Sequence, residues 1–208
     1  MSRKHWIQTA SGKKFYYDDV NPEQFDINDM AAGISRCCRY NGQLKDGTEL
    51  EDEIYSIAQH SVYVYRFLKA LRKERPDCPE RALVWALLHD AVEGYYTDMP
   101  SPLKAVSPEY KQHERIAERA FISGHNVPFD PEVYQWVKYA DIQVLLAESQ
   151  EMCAIPSDLW DIPSIPVRTL REIDPDFYYW RPKKARAEYM KAFEEIQPLL
   201  GESIYANV

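Results

Sequence analysis

Glycine is scarce in this chain, with 7 in 208 residues, which excludes collagen-like and glycine-rich low-complexity architectures. Cysteine is scarcer, with 4. Cys37 and Cys38 are neighbours while Cys78 and Cys153 stand apart, so no C-x-x-C pair suggests a zinc ribbon or a thioredoxin-like site. Four reduced thiols filling small gaps in a core are expected. Long hydrophobic runs are missing too. The longest, Ala82 to Leu88, falls far short of the about 18 residues a membrane-spanning helix needs. The start Met1-Ser2-Arg3-Lys4-His5-Trp6 leads into no apolar signal-peptide core. A cytoplasmic protein that does not engage a membrane is expected. Positive charge is in deficit, 25 Lys and Arg against 33 Asp and Glu. That balance argues against a broad nucleic-acid-binding surface and leaves room for a local basic pocket.

What is present is apolar and aromatic: 45% of the residues are hydrophobic, enough in a chain of this length for a full core without disulfide or metal staples. A single domain is expected. Within residues 1–20, Trp6-Ile7-Gln8-Thr9 and Lys14-Phe15-Tyr16-Tyr17 flank a Ser11-Gly12 turn and read as a β-hairpin extension. A helical core follows over 28–152, then a proline-rich wrap and C-terminal helix over 153–208. Asn28 or Asp29 caps a helix through Arg39 that Asn41-Gly42 ends, and residues 43–53 are a polar loop. Ile57, Val64, Phe67, Leu68 and Leu71 recur at helical spacing over 54–75, and Pro76 stops that helix. Pro79 opens another that continues to Gly94; Pro100 and Pro102 require a turn over 97–102. Helices are expected over 107–124, 130–152 and 183–199, with Val133, Val137, Ala140, Val144 and Leu145 as an inner stripe.

Charged and histidine side chains interrupt these apolar faces at informative places. His60 shares a face with Val64, Phe67 and Leu71; His89 and Asp90 end the Leu83–Leu88 run; Asp141 lies among Val137, Ala140, Val144 and Leu145. Burying a lone carboxylate is costly unless it is paired or binds a metal. His60, His89, Asp90 and Asp141 together supply two imidazoles and two carboxylates, a set suited to one divalent transition metal.

The order His60, His89-Asp90, Asp141 resembles the H...HD...D metal tetrad of the HD-domain phosphohydrolase superfamily. Ala86-Leu87-Leu88-His89-Asp90-Ala91-Val92-Glu93 followed by Thr97-Asp98-Met99-Pro100-Ser101-Pro102-Leu103-Lys104 is similar to the H-D-x-x-E...D-x-P-x-P-x-K block of bacterial 5'-deoxynucleotidases. Ile57–Val62 and Ile34–Gly42 resemble phage and prophage members, the dATP triphosphohydrolases among them. The resemblance covers residues 6–150. It implies an all-α HD-domain helical bundle with a short N-terminal hairpin, and one divalent ion (Mn, Co, Zn, Mg or Fe) on the tetrad. It implies hydrolysis of a deoxynucleotide, releasing phosphate or triphosphate. Glu93, one turn after His89, and Asp98 are then the acid/base residues, while Arg39, Arg36 and Lys104 contact phosphate. No nucleic acid or membrane is implied, and a homo-oligomer is expected. A dinuclear phosphodiesterase drawing on His113 and His125, and a nucleotide-binding module without turnover, are the alternatives.

Overall fold

The computed structural model describes residues 4–45, 54–155 and 168–201. Most of the polar 43–53 stretch, and Pro156, Pro163 and Pro166 of the proline-rich one, fall outside these. Strands β1 (Trp6–Gln8) and β2 (Lys14–Tyr16) form the expected hairpin, with Ile7 opposite Phe15. Gly12 supplies the left-handed turn residue at φ 84°. Phe15 is fully buried and stacks on Tyr95 at 4.3 Å, which pins the hairpin to the helical body.

Helix α1 (Ile27–Ile34) is capped by Asp26, whose carboxylate accepts from the Asn28 N–H. It ends earlier than the Arg39 expected, for a non-local reason. Cys38 leaves helical geometry to bridge Ser56, and the Arg39 N–H donates to the Tyr55 carbonyl. Ser56 in turn caps α2 (Ile57–Glu74), accepting from the Gln59 N–H. The expected stripe on α2 is buried throughout. Helix α3 (Ala82–Leu88) is buried on every side. It does not continue to Gly94 as expected: the backbone tightens into three-residue turns (Ala91 N–H to Leu88, Glu93 N–H to Asp90) and re-forms as α4 (Glu93–Tyr96). α4 crosses α1 so closely that a Cβ on Gly33 would lie 2.3 Å from the Gly94 carbonyl oxygen.

The expected 97–102 turn is shorter than predicted, because Pro102 sits in the first turn of α5 (Ser101–Ala105), where its missing N–H costs nothing. Helices α6 (Pro108–Gly124) and α7 (Pro131–Met152) follow, the latter capped by Asp130. The stretch expected to be irregular includes α8 (Leu170–Ile173), closed by a Thr169–Glu172 capping box. The C-terminal helix α9 (Pro182–Ile196) stops before the expected residue 199, and Pro198 lies in a 3-10 turn over Gln197–Leu199. The described residues are thus mostly helical, with one small antiparallel sheet among them.

α2 is the central element, packed on α3, α7 and α9. Its Gln59 side chain donates to the Tyr178 carbonyl and accepts from the Trp180 N–H, tying the segment before α9 to the helix that carries His60. One contiguous core runs from Phe15 to Ile196. The four cysteines are free thiols, with Cys78 buried. Among the described residues no helix is long and apolar enough to cross a membrane.

Candidate metal centre

Three helices bring the four expected ligands together. His60 lies in the first turns of α2 and is fully buried; His89 and Asp90 are the first residues beyond α3; Asp141 sits midway along α7. His60 Nε2 is 3.3 Å from Asp141 Oδ1 and 3.8 Å from Asp90 Oδ2, and His89 Nε2 is 3.3 Å from Asp90 Oδ2. One ligand atom each from His60, His89 and Asp141 lies within 4.8 Å of the others, a group that does not include Asp90; two ligands of one ion with 2.0–2.2 Å bonds stand at most about 4.4 Å apart.

The hydrogen bonds settle which nitrogen of each ring faces the cluster. His60 Nδ1 is 2.6 Å from Glu148 Oε1, and His89 Nδ1 is 3.0 Å from the Ala86 carbonyl. Both acceptors require the ring proton on Nδ1, which leaves the Nε2 lone pairs for the centre. Both Nε2 atoms are buried without a hydrogen-bond partner. Two orphaned imidazole nitrogens aimed at two carboxylates fit a divalent metal ion of intermediate softness.

The local field agrees with that chemistry. Burial alone would raise the Asp141 pKa, but His60, His89 and the Lys138 ammonium, 2.9 Å away, hold it well below the usual range. Asp90 is likewise lowered: burial opposes its charge, and His89, His60 and Arg39 outweigh burial. Burial and Arg39 disfavour a protonated His60, yet Glu148 and Asp141 lift its pKa to about 9. The carboxylates therefore favour positive charge where Nε2 meets them.

Arg39 stands at the edge of this cluster, almost fully buried, with Nη1 3.6 Å from Asp90 Oδ2 and Nε 3.4 Å from Glu148 Oε2. Tyr40, Asn41 and Gly42 behind it have φ of 57°, 52° and 72°, a left-handed turn that two non-glycine residues rarely adopt together. Glu93 opens α4, 5% exposed, with Oε2 buried and unpartnered. Burial first, then the Asp90 and Asp98 charges, push its pKa well above the ordinary carboxylate range; Lys104 pulls the other way. Asp98 is also raised, by burial and Asp90 against the pull of Arg39.

Lys104 has a different neighbourhood from the phosphate contact expected of it. Its ammonium is 2.8 Å from Glu93 Oε1 and 2.7 Å from Glu114 Oε1, so two carboxylates already take its charge. Arg36 is not brought to the cluster: it is exposed, donates to the Ala32 carbonyl and lines a cleft beside Gln8, Thr9 and Asp29. His113 is exposed, and His125 packs on Phe121 at 4.9 Å with Nδ1 at that residue's carbonyl. Neither histidine joins the group.

Sequence reasoning missed Glu148, Tyr55 and Glu114. Glu148 is fully buried two turns beyond Asp141 on the same face of α7. A carboxylate interrupting an apolar stripe is the signal that marks Asp141, and it was equally there to read at Glu148.

No protein-family model matches the chain. It is similar to YfdR, an uncharacterized protein of Escherichia coli K12, at 31% identity over 195 residues, covering 93% of this chain and 97% of YfdR. An uncharacterized protein of Rhodobacter capsulatus is 34% identical over 103 residues, half of this chain and 48% of that protein.

Proposed function

The chain belongs to the same family as Escherichia coli YfdR, and we propose that it is a metal-dependent phosphohydrolase of the HD type acting on deoxynucleotides. The observation that carries this reading is the convergence of His60, His89 and Asp141, with Asp90 Oδ2 3.3 Å from His89 Nε2 and a buried arginine 3.6 Å from Asp90. Arg39 is held at the edge of the cluster by the carboxylates of Asp90 and Glu148; a phosphate substrate makes use of such a second cation, because its oxygens carry more charge than one ion neutralises.

A divalent ion held by the tetrad would supply Lewis acidity, polarising the phosphoryl group and lowering the pKa of water so that it gives up a proton near neutral pH. The remaining work falls to the chain's own residues. Arg39 binds phosphate oxygens through its planar fork and gains strength as charge shifts onto them. Glu93, its pKa raised by burial and Asp90, keeps a proton to give to the leaving oxygen. Lys104 orients that carboxyl by holding Oε1 and leaving Oε2 free. Asp98, within the field of Arg39 and Asp90, is the second acid/base group of this reading.

This reading includes one ion per chain, a cytoplasmic setting and a homo-oligomer. Leu103, Val106 and Ile116 remain exposed on α5, α6 and the turn between them, and assembly would cover that apolar surface. The test is a panel of deoxynucleoside mono-, di- and triphosphates incubated with Mn, Co, Mg or Zn. Release of phosphate or triphosphate with a deoxynucleoside product supports the reading; no turnover of any member with metal bound refutes it.

A further inference from the structure

Glu148 has a fully buried carboxylate surrounded by four donors from three separate parts of the chain. Oε1 accepts from the Tyr55 hydroxyl at 2.8 Å and lies 2.6 Å from His60 Nδ1. Oε2 accepts from the Tyr40 hydroxyl at 2.7 Å and lies 3.4 Å from Arg39 Nε. One oxygen thus serves the metal-ligand side and the other serves the arginine side. A buried carboxylate with so many donors is costly to assemble, and a carboxylate that only filled the core would be served as well by an apolar residue.

From this geometry we propose that Glu148 is a positioning residue shared by the two halves of the site. It holds His60 as a metal ligand and Arg39 as a phosphate ligand, so that metal affinity and phosphate affinity depend on the same side chain. The inference rests on the proposed metal-phosphate reading of the site and adds a coupling to it.

The first arm works through the His60 ring. An acceptor at Nδ1 fixes the tautomer and the ring plane and increases electron density at Nε2, the atom aimed at Asp90 and Asp141. The second arm works through the backbone. Tyr40 and Asn41 occupy left-handed conformations that cost energy unless neighbours hold them. The Tyr40 hydroxyl bonded to Glu148 is such a hold, and the turn it secures sets Arg39 beside Asp90. The Arg39 guanidinium also lies against the Tyr40 ring, 5.5 Å from its centroid. Moving Glu148 therefore moves both arms.

The experiment measures two affinities that need no turnover: Co2+ by chelator competition, and inorganic phosphate by calorimetry on the Co2+-loaded protein. Glu148→Gln keeps the shape, removes the charge and turns one acceptor into a donor facing donors. It is expected to weaken Co2+ by about 10- to 100-fold, the range found when the outer partner of a ligand histidine is lost. It should also weaken phosphate, and Arg39→Ala should then cost less phosphate affinity in the Glu148→Gln background than in the wild type. Tyr40→Phe removes the hydrogen bond to Oε2 and keeps the ring. It should weaken phosphate by about two- to tenfold while leaving Co2+ affinity unchanged.

Wild-type Co2+ affinity in Glu148→Gln, or equal cost of Arg39→Ala in both backgrounds, overturns the shared role. If Glu148→Gln does not fold, Tyr40→Phe decides alone: unchanged phosphate affinity overturns the proposal. His60→Ala separates the two levels. If it leaves Co2+ binding intact, the metal reading itself fails, and the coupling with it.

Discussion

Replacing Lys104 by methionine keeps an unbranched side chain of similar length and removes its charge. The ammonium sits 2.8 Å from Glu93 Oε1 and 2.7 Å from Glu114 Oε1, and it favours the ionised form of Glu93 against burial and Asp90. Without it the Glu93 carboxyl holds its proton to higher pH. A hydrogen bond to a charged group is worth about 1.5–3 kcal/mol, and about 1.4 kcal/mol corresponds to a tenfold change in proton affinity. The alkaline limb of kcat/KM, where a general acid is lost by ionisation, should therefore move up by about one to two pH units. Sharing with Glu114 places the expected displacement nearer the lower figure. The assay is kcat/KM against pH for wild type and Lys104→Met, at saturating metal, on a monophosphate and a triphosphate. The reasoning is refuted if the limb stays in place while the triphosphate loses more than the monophosphate. That pattern belongs to a lysine in contact with the phosphate tail.

Three further substitutions test the same geometry. Glu93→Gln should lose turnover by about 100- to 10,000-fold and keep its metal. Because the folded-state pKa of Glu93 is raised, ionisation destabilises the fold as pH rises above the carboxylate range; thermal melts should show Glu93→Gln gaining on wild type at pH 8 and matching it near pH 4. Arg39→Ala should lower kcat by about 100-fold and raise KM, with metal content by elemental analysis unchanged. Gly33→Ala would put a methyl 2.3 Å from the Gly94 carbonyl oxygen. The overpacking should cost about 1–3 kcal/mol and lower Tm by about 2–4 °C per kcal/mol in a chain of this size.

Features generated by local pattern were legible in the sequence. His60 and Asp141 stand out because each breaks an apolar stripe on a long helix; both stripes are buried in the fold except at Leu145, which is half-buried while Leu146 is buried. Asp130 and the prolines at 76 and 131 mark their helix boundaries for equally local reasons. Features generated by distant contacts were not legible. The end of α1 depends on Cys38 meeting Ser56, and the break between α3 and α4 accompanies the close crossing of Gly33 and Gly94. Nothing near either break announces it. Lys104, expected from the sequence to contact phosphate, pairs with Glu93 and with Glu114, which belongs to the next helix. Glu148 carried a local signal, a buried acid on an apolar face. Its meaning depends on His60, 88 residues earlier, and on the Tyr40 turn.

The central claim is that His60, His89, Asp90 and Asp141 hold one ion on which phosphoester hydrolysis depends. It is tested most directly by stripping the protein with a chelator, returning Co2+ in substoichiometric steps, and recording bound cobalt and phosphate or triphosphate release on the same samples. Activity should be absent in the stripped protein and rise linearly to a plateau at one ion per chain; Asp141→Ala, with its helical spectrum intact, should neither retain the ion nor recover. Hydrolysis that persists in the stripped protein, or a plateau reached at two ions per chain, would contradict it.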